Sequence, residues 1–415
     1  MRDSRLIMFA LFKSSSLRRF FLAHFQSELG SGAAYVALAL VAYHRLHSGW
    51  AIAVVLLADF LPGIVLSAPV GALADRVSRK RLVIAAELLR AGAFIALAII
   101  PSFPATVAFA LAAGVGTALF RPTVNAAMPS LLTDEQRSPG VALFGAMISV
   151  GMTAGPALTA LVVLAGSATL VLAANGATFL VSAALLWGVP LDRGNAADEA
   201  PRKPGSVWSA TVDGARAASQ IPGIVALLVI SAVSVLAGGL MNVAEPLLAT
   251  GPLGAGGSGY SLLVAAYGAG MVGGSLATAR AGSSLGGLRR RLLLGLALEG
   301  IGMLGSASAP SLDWALASFA LTGFSNGLMM GPGLRLFQEL VGERLLGRVF
   351  GLRNMLFNAA FVLAFLSAGA LLGALGARAV FALGGIGMVL LAVAGGAAFR
   401  PDREHEMVPA IPETA

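Results

Sequence analysis

The sequence predicts an all-helical membrane protein of about twelve spans arranged as two groups of six. Three observations carry this. The first is composition: 57% of the residues are hydrophobic, 12% are charged, mean hydropathy is +0.84, and 52 of 415 residues are glycine. A water-soluble globule cannot cover its surface with so few charges. The second is a series of apolar runs, each near the ~20 residues that a helix needs to cross a ~30 Å hydrocarbon core. The third is the placement of positive charge. About 24 of the 28 Lys and Arg residues fall in the terminal segments and the alternate turns that share one face, which puts both termini in the cytoplasm. The same bias explains the net charge of +8 without any nucleic acid partner.

Taken in order, residues 1–19 read as a cytoplasmic arm lying on the membrane surface. Its apolar run from Leu6 to Phe12 is short for a signal segment and is followed by no A-x-A cleavage site. The first bundle covers 20–189, with spans at 20–44, 50–74, 82–100, 104–128, 139–165 and 168–189. Residues 190–222 are polar, charged and Pro/Gly-bearing, and read as a cytoplasmic linker with a short helix around 207–220. The second bundle covers 223–398, with spans at 223–249, 258–280, 291–309, 313–335, 349–373 and 376–398, and 399–415 is a cytoplasmic tail. A shift of 208 sets Leu132, Glu135, Val141 and Met147 on Leu340, Glu343, Val349 and Met355, which agrees with two parallel repeats. No cysteine is present, so disulfides and thiolate metal sites are excluded.

Four stretches could carry chemistry. Between the second and third spans stands Gly71-Ala72-Leu73-Ala74-Asp75-Arg76-Val77-Ser78-Arg79-Lys80-Arg81, an acid and four cations held in a turn too short to leave the membrane face. In the fifth span, Gly151-x-x-x-Gly155-Pro156 puts two glycines on one helix face beside a proline that frees a carbonyl and permits a bend. In the tenth, Gly323-x-x-x-Gly327-x-x-x-Gly331-Pro332 forms a smooth stripe for which packing is the simpler reading. Gly268-x-Gly270-x-x-Gly273 matches the dinucleotide fingerprint in letters, but it follows no strand and lies in an apolar span, so no nucleotide cofactor is expected.

Polar groups at membrane depth are few, and each costs roughly 2.5–3.5 kcal/mol if it faces lipid, so they must face a partner or a cavity. They are Glu28, Asp59, Arg121, Asn125, Asn242, Glu245, Glu299 and Asn326. A carboxyl at such depth can load and release a proton, or it can be satisfied structurally, for instance Glu28 by Arg121. Glu87 and Arg90, at i and i+3, are placed to pair with each other or with the charged turn. His44 and His47 share a helical spacing, but two ligands are too few for a metal site, and no metal is expected.

The turn Gly71–Arg81 resembles the loop between helices two and three of the major facilitator superfamily, with Ser78 where that family most often has glycine. Gly151–Pro156 is similar to part of the fifth-helix motif of its exporting branches, although Ala142 and Thr159-Ala160 stand where further glycines belong. Leu73-Ala74-Asp75-Arg76 with Glu87-Leu88-Leu89-Arg90-Ala91, and Phe120-Arg121-Pro122-Thr123 before Met128-Pro129-Ser130-Leu131, resemble the branch of macrolide and enterobactin exporters. The resemblance implies a monomeric, multi-pass inner-membrane carrier rather than an enzyme. It implies proton-driven efflux of a drug, siderophore or other small amphiphilic metabolite by alternating access, and an importer or a lipid flippase would share the fold. It further implies that Gly71, Asp75, Arg76, Arg79, Lys80 and Arg81 form a cytoplasmic gate, with Asp75 meeting the start of the eleventh helix near Arg348 to Arg353. Spans one, four, seven and ten would line the cavity, which favours Glu28, Arg121, Asn125, Glu245 and Asn326, while Asp59 and Asn242 remain candidates and Glu299 falls on a supporting helix.

Overall fold

The computed structural model describes residues 12–66, 70, 73, 77–165, 167–192, 215–216, 218–279 and 284–399. Within them lie ten helices: α1 Ser15–Leu46, α2 Gly49–Val65, α3 Arg79–Ile99, α4 Phe103–Leu131, α5 Asp134–Ala165, α6 Ala168–Trp187, α7 Ile224–Thr250, α8 Gly256–Ala279, α9 Leu285–Ala307 and α10 Leu312–Ala398. Where they are described, the apolar runs of the sequence are helical, because a bilayer leaves the backbone no hydrogen-bond partner but itself. Among the described residues, seven helical segments are long and apolar enough to cross a membrane. The second expected span gives a shorter helix, Gly49–Val65. The arm 1–11, most of the linker, Gly71, Asp75 and Arg76 of the charged turn, and the tail from 400 lie outside the described residues.

Helix starts follow local chemistry. Ser48, Ser102, Ser284 and Ser311 sit just before α2, α4, α9 and α10, and each hydroxyl accepts a backbone N–H of the first turn. The largest departure from expectation is α10, which runs unbroken over 87 residues where three spans were foreseen. A straight helix of that length would reach ~130 Å. Instead it doubles back. The rings of Phe337 and Phe350 lie 5.0 Å apart, where a straight helix would hold them roughly 20 Å apart. Gly376 has a φ of +78°, and beyond it Phe381 returns to within 5.7 Å of Phe319. Leu, Gln, Glu and Arg fill the polar gap at 334–348, and their strong helix propensity explains why helical bonding persists where hydropathy falls.

Glycine sets the closest packing. On α8, a Cβ at Gly270 would strike the Ala320 carbonyl, and one at Gly274 the Phe324 carbonyl. On α10, a Cβ at Gly323 would strike the Tyr267 carbonyl, and one at Gly327 the Met271 carbonyl, with the Ser275 nitrogen at 2.7 Å. The two glycine pairs thus interlock backbone to backbone, as small residues do where no water drives helices together. This is the use of the dinucleotide-like string in α8 and of the stripe in α10. Gly327→Leu is expected to cost ~3 kcal/mol or more through overpacking, read as a lowered unfolding midpoint in detergent. A midpoint within error of the parent would show that the two helices part freely.

The first six helices and the last four meet at the end that carries the α1–α2 and α7–α8 turns. There Gly49 lies against Leu372 and Leu247, Gly369 against the Trp50 ring, and Gly257 against Leu40 and Val163. Deeper in, Phe60 stacks on Phe361 at 6.1 Å and lies 5.8 Å from Phe365, and Gly268 packs on Thr153.

Candidate functional site

The site is built around α1. Its middle is clasped by α5, because Gly151 and Gly155 leave no side chain between the two backbones. A Cβ at Gly151 would lie 2.6 Å from the Glu28 carbonyl oxygen, and one at Gly155 2.5 Å from the Ala33 nitrogen. One turn on, the Thr159 hydroxyl donates to the Ala33 carbonyl at 2.8 Å. The fifth-helix motif therefore fixes the stretch of α1 that carries Glu28. On the other side, Gly30 faces Asn175 and Thr178 of α6, and Gln26 Nε2 donates to the Thr178 carbonyl at 2.8 Å.

Glu28 is half-buried, and its carboxylate lies 3.9 Å from His24 Nδ1. His24 is itself buried and stacks on Phe144 of α5, ring centroids 3.7 Å apart and 4° from parallel. Among the described residues Arg121 forms no ion pair with Glu28; Arg121 and Asn125 on α4 are exposed. Glu28 and Asp59 both lie within electrostatic range of Arg121 and Arg90, on α1, α2, α4 and α3.

Glu87 and Arg90 do pair with each other. Arg90 Nη2 lies 2.7 Å from Glu87 Oε2, and the Ser182 hydroxyl of α6 donates to Glu87 Oε1 at 2.6 Å. The guanidinium is held between the rings of Phe120 and Phe179, at 4.1 and 4.2 Å. Gly116 of α4 leaves room for its stem. This is a structural fastening of α3 to α4 and α6.

In the other group of helices, Glu245 of α7 and Glu299 of α9 are buried, and Asn242 and Asn326 are half-buried. Sequence reasoning passed over what surrounds Glu245. Its charge acts on Tyr35 of α1 and on Tyr260 and Tyr267 of α8, while Asp59 acts on Tyr35 and Glu299 on Tyr267. The hydroxyls of Tyr35 and Tyr260 are buried with no hydrogen-bond partner among the described residues. The available signal was rarity. The chain has four tyrosines, and Tyr35 and Tyr267 fall in the middle of their spans rather than at an interface, where tyrosine usually concentrates.

Of the charged turn, Arg79, Lys80 and Arg81 open α3. Among the described residues the acid at that helix start is Asp192, which was not singled out from the sequence. Its Oδ2 accepts from the Ser78 hydroxyl at 2.8 Å and its Oδ1 from the Lys80 backbone N–H at 3.2 Å. Arg353, on the second leg of α10, lies over Phe357 at 4.1 Å.

The profile of the Major Facilitator Superfamily matches residues 20–243 and 227–415. An uncharacterized MFS-type transporter of Mycobacterium tuberculosis is 35% identical over 130 residues, a match that spans 31% of this chain and only 30% of that one. Macrolide efflux protein A of Enterococcus faecalis is 25% identical over 319 residues, covering 73% of this chain and 95% of the relative. The nucleoside transporter NupG superposes with a TM-score of 0.75 at 12% identity, over 92% of this chain and 98% of that one, which speaks for the fold alone. With that fold, these apolar helices and the match over nearly its whole length, the chain belongs to the major facilitator superfamily of membrane transporters and resembles its macrolide-efflux members.

Proposed function

We propose that this chain is a secondary active transporter of the bacterial inner membrane that exports a small amphiphilic molecule, of drug or siderophore type, in exchange for protons. In this reading twelve spans form two six-helix bundles, 20–189 and 223–398, joined by the cytoplasmic linker 190–222, with both termini in the cytoplasm and a monomer as the working unit. The three legs of α10 supply spans ten to twelve. The apolar contacts at the α1–α2 and α7–α8 end close the outer side, so the cavity faces the cytoplasm, and the turn Gly71, Asp75, Arg76, Arg79, Lys80 and Arg81 gates that side.

The observation that carries the reading is Glu28. It is a half-buried carboxyl midway along α1, without an ion-pair contact to Arg121 or Arg90 and with only the His24 ring, at 3.9 Å, near its carboxylate among the described residues. A structural acid would be locked to its cation, as Glu87 is. One that must take up and give back a proton has to stay free to do so. Asp59 shares its electrostatic centre, and Arg121 and Asn125 present polar groups to it. Glu245, with Asn242 and Asn326, supplies the polar centre of the second bundle, and the half-buried Tyr267 adds a ring face and a hydroxyl beside it. The efflux direction draws on the printed function of the macrolide efflux relatives.

Glu28→Gln is expected to reduce ΔpH-driven uptake of an efflux dye into inverted vesicles to the level of vesicles without a gradient, at normal protein yield. Unchanged uptake and pH dependence would remove Glu28 from coupling, and absence of ΔpH-driven movement in the parent across a panel of amphiphiles would remove the proton.

A further inference from the structure

Beside the charged turn, and outside the centre described above, the start of α3 and the end of α6 enclose a cleft. It is lined by Ser78, Lys80, Arg81 and Asp192 at the start of α3, by Trp187, and by Ile84, Ala85 and Leu88 one to two turns further along α3. Among the described residues no acid takes up the charges of Lys80 and Arg81. Asp192, the nearby acid, spends both oxygens on the Ser78 hydroxyl and the Lys80 backbone N–H, and among the described residues neither Lys80 nor Arg81 forms an ion pair. Lys80 Nζ lies 5.8 Å from the Trp187 ring. Trp187 is 66% exposed and Leu88 51%, on helices whose other faces are packed, so the cleft opens to the surroundings of the bundle rather than to its centre. Two cations and a tryptophan above an apolar wall match the order of chemistry met on descending a bilayer leaflet, from phosphate through the interface to the acyl chain.

We infer that this cleft between α3 and α6 is a binding site for one anionic glycerophospholipid, its phosphate on Lys80 and Arg81 and an acyl chain along Ile84 to Leu88. An aqueous anion would use the two cations but not the exposed Trp187 and Leu88, which points to a lipid as the source of the phosphate.

The test uses the full chain in nanodiscs of phosphatidylcholine doped with phosphatidylglycerol, released and analysed by native mass spectrometry for retained lipid. Each cation near an anionic lipid surface contributes about a fivefold preference, so the parent is expected to favour phosphatidylglycerol by roughly 25-fold. Lys80→Gln with Arg81→Gln should abolish that preference for one bound lipid, the charge-keeping exchange Lys80→Arg with Arg81→Lys should restore it, and Arg137→Gln, a cation elsewhere, should leave it intact. Equal retention of the two lipids by the parent, or a preference that survives the double glutamine variant, would overturn the assignment. Nanodiscs offer both lipids on both leaflets and require no transport, so the outcome stands apart from the orientation and proton coupling proposed above.

Discussion

Arg90→Met is expected to destabilise the protein by ~3–5 kcal/mol, the cost of leaving a buried charge without its partner. Glu87 is fully buried, and once Arg90 is gone the Ser182 hydroxyl is the one partner left to it among the described residues. The loss is compounded because the guanidinium also fills the space between Phe120 and Phe179. The check is a pair of melting curves. Glu87→Gln combined with Arg90→Met should recover most of the stability, since replacing a whole buried ion pair with neutral groups is often close to neutral while breaking half of it is not. A double variant as weak as the single one would mean that packing between the two rings, rather than charge, holds α3 in place.

Gly155→Leu should remove transport and lower stability together. Its Cβ alone would stand 2.5 Å from the Ala33 nitrogen and 2.6 Å from the Gly32 carbonyl carbon, so α1 has to move away from α5 before any further atom is placed. Overpacking of a core costs ~1–3 kcal/mol, and here it also displaces the backbone that carries Glu28. Thr159→Val serves as the companion: it deletes the hydrogen bond to the Ala33 carbonyl without adding bulk and should cost only ~1 kcal/mol, with transport retained. If Gly155→Leu transports at the parent rate, the clasp on α1 is not what positions Glu28.

These two sites differ in how far the sequence disclosed them. The Glu87–Arg90 pair was legible because its members are three residues apart on one helix, and helical spacing is a local property. Gly151 and Gly155 announced a smooth face, but not that Glu28 lies beneath it, since the partner is more than a hundred residues away. The glycines of α8 and α10 were legible as packing for the same local reason, and their interlock was not. Charge placement and apolar runs gave the class, because the bilayer acts on every span alike, while the family resemblance came from the ordered strings Gly71–Arg81 and Gly151–Pro156. They did not give the continuity of α10, where helix propensity outlasts hydropathy. Nor did they give Asp192 at the start of α3 or the tyrosines around Glu245, since those meetings join distant parts of the chain.

The seam where Gly49, Trp50, Phe60 and Gly257 meet Leu372, Gly369, Phe361 and Leu40 is made of hydrocarbon and rings. Among the described residues no ion pair crosses this closure to be unpicked by salt or acid. Parting it would expose greasy surface whatever the electrolyte, so the strength of this contact is set by temperature and by the bulk of a few side chains, and a single methyl added at Gly369 would press into the Trp50 ring and loosen the seam.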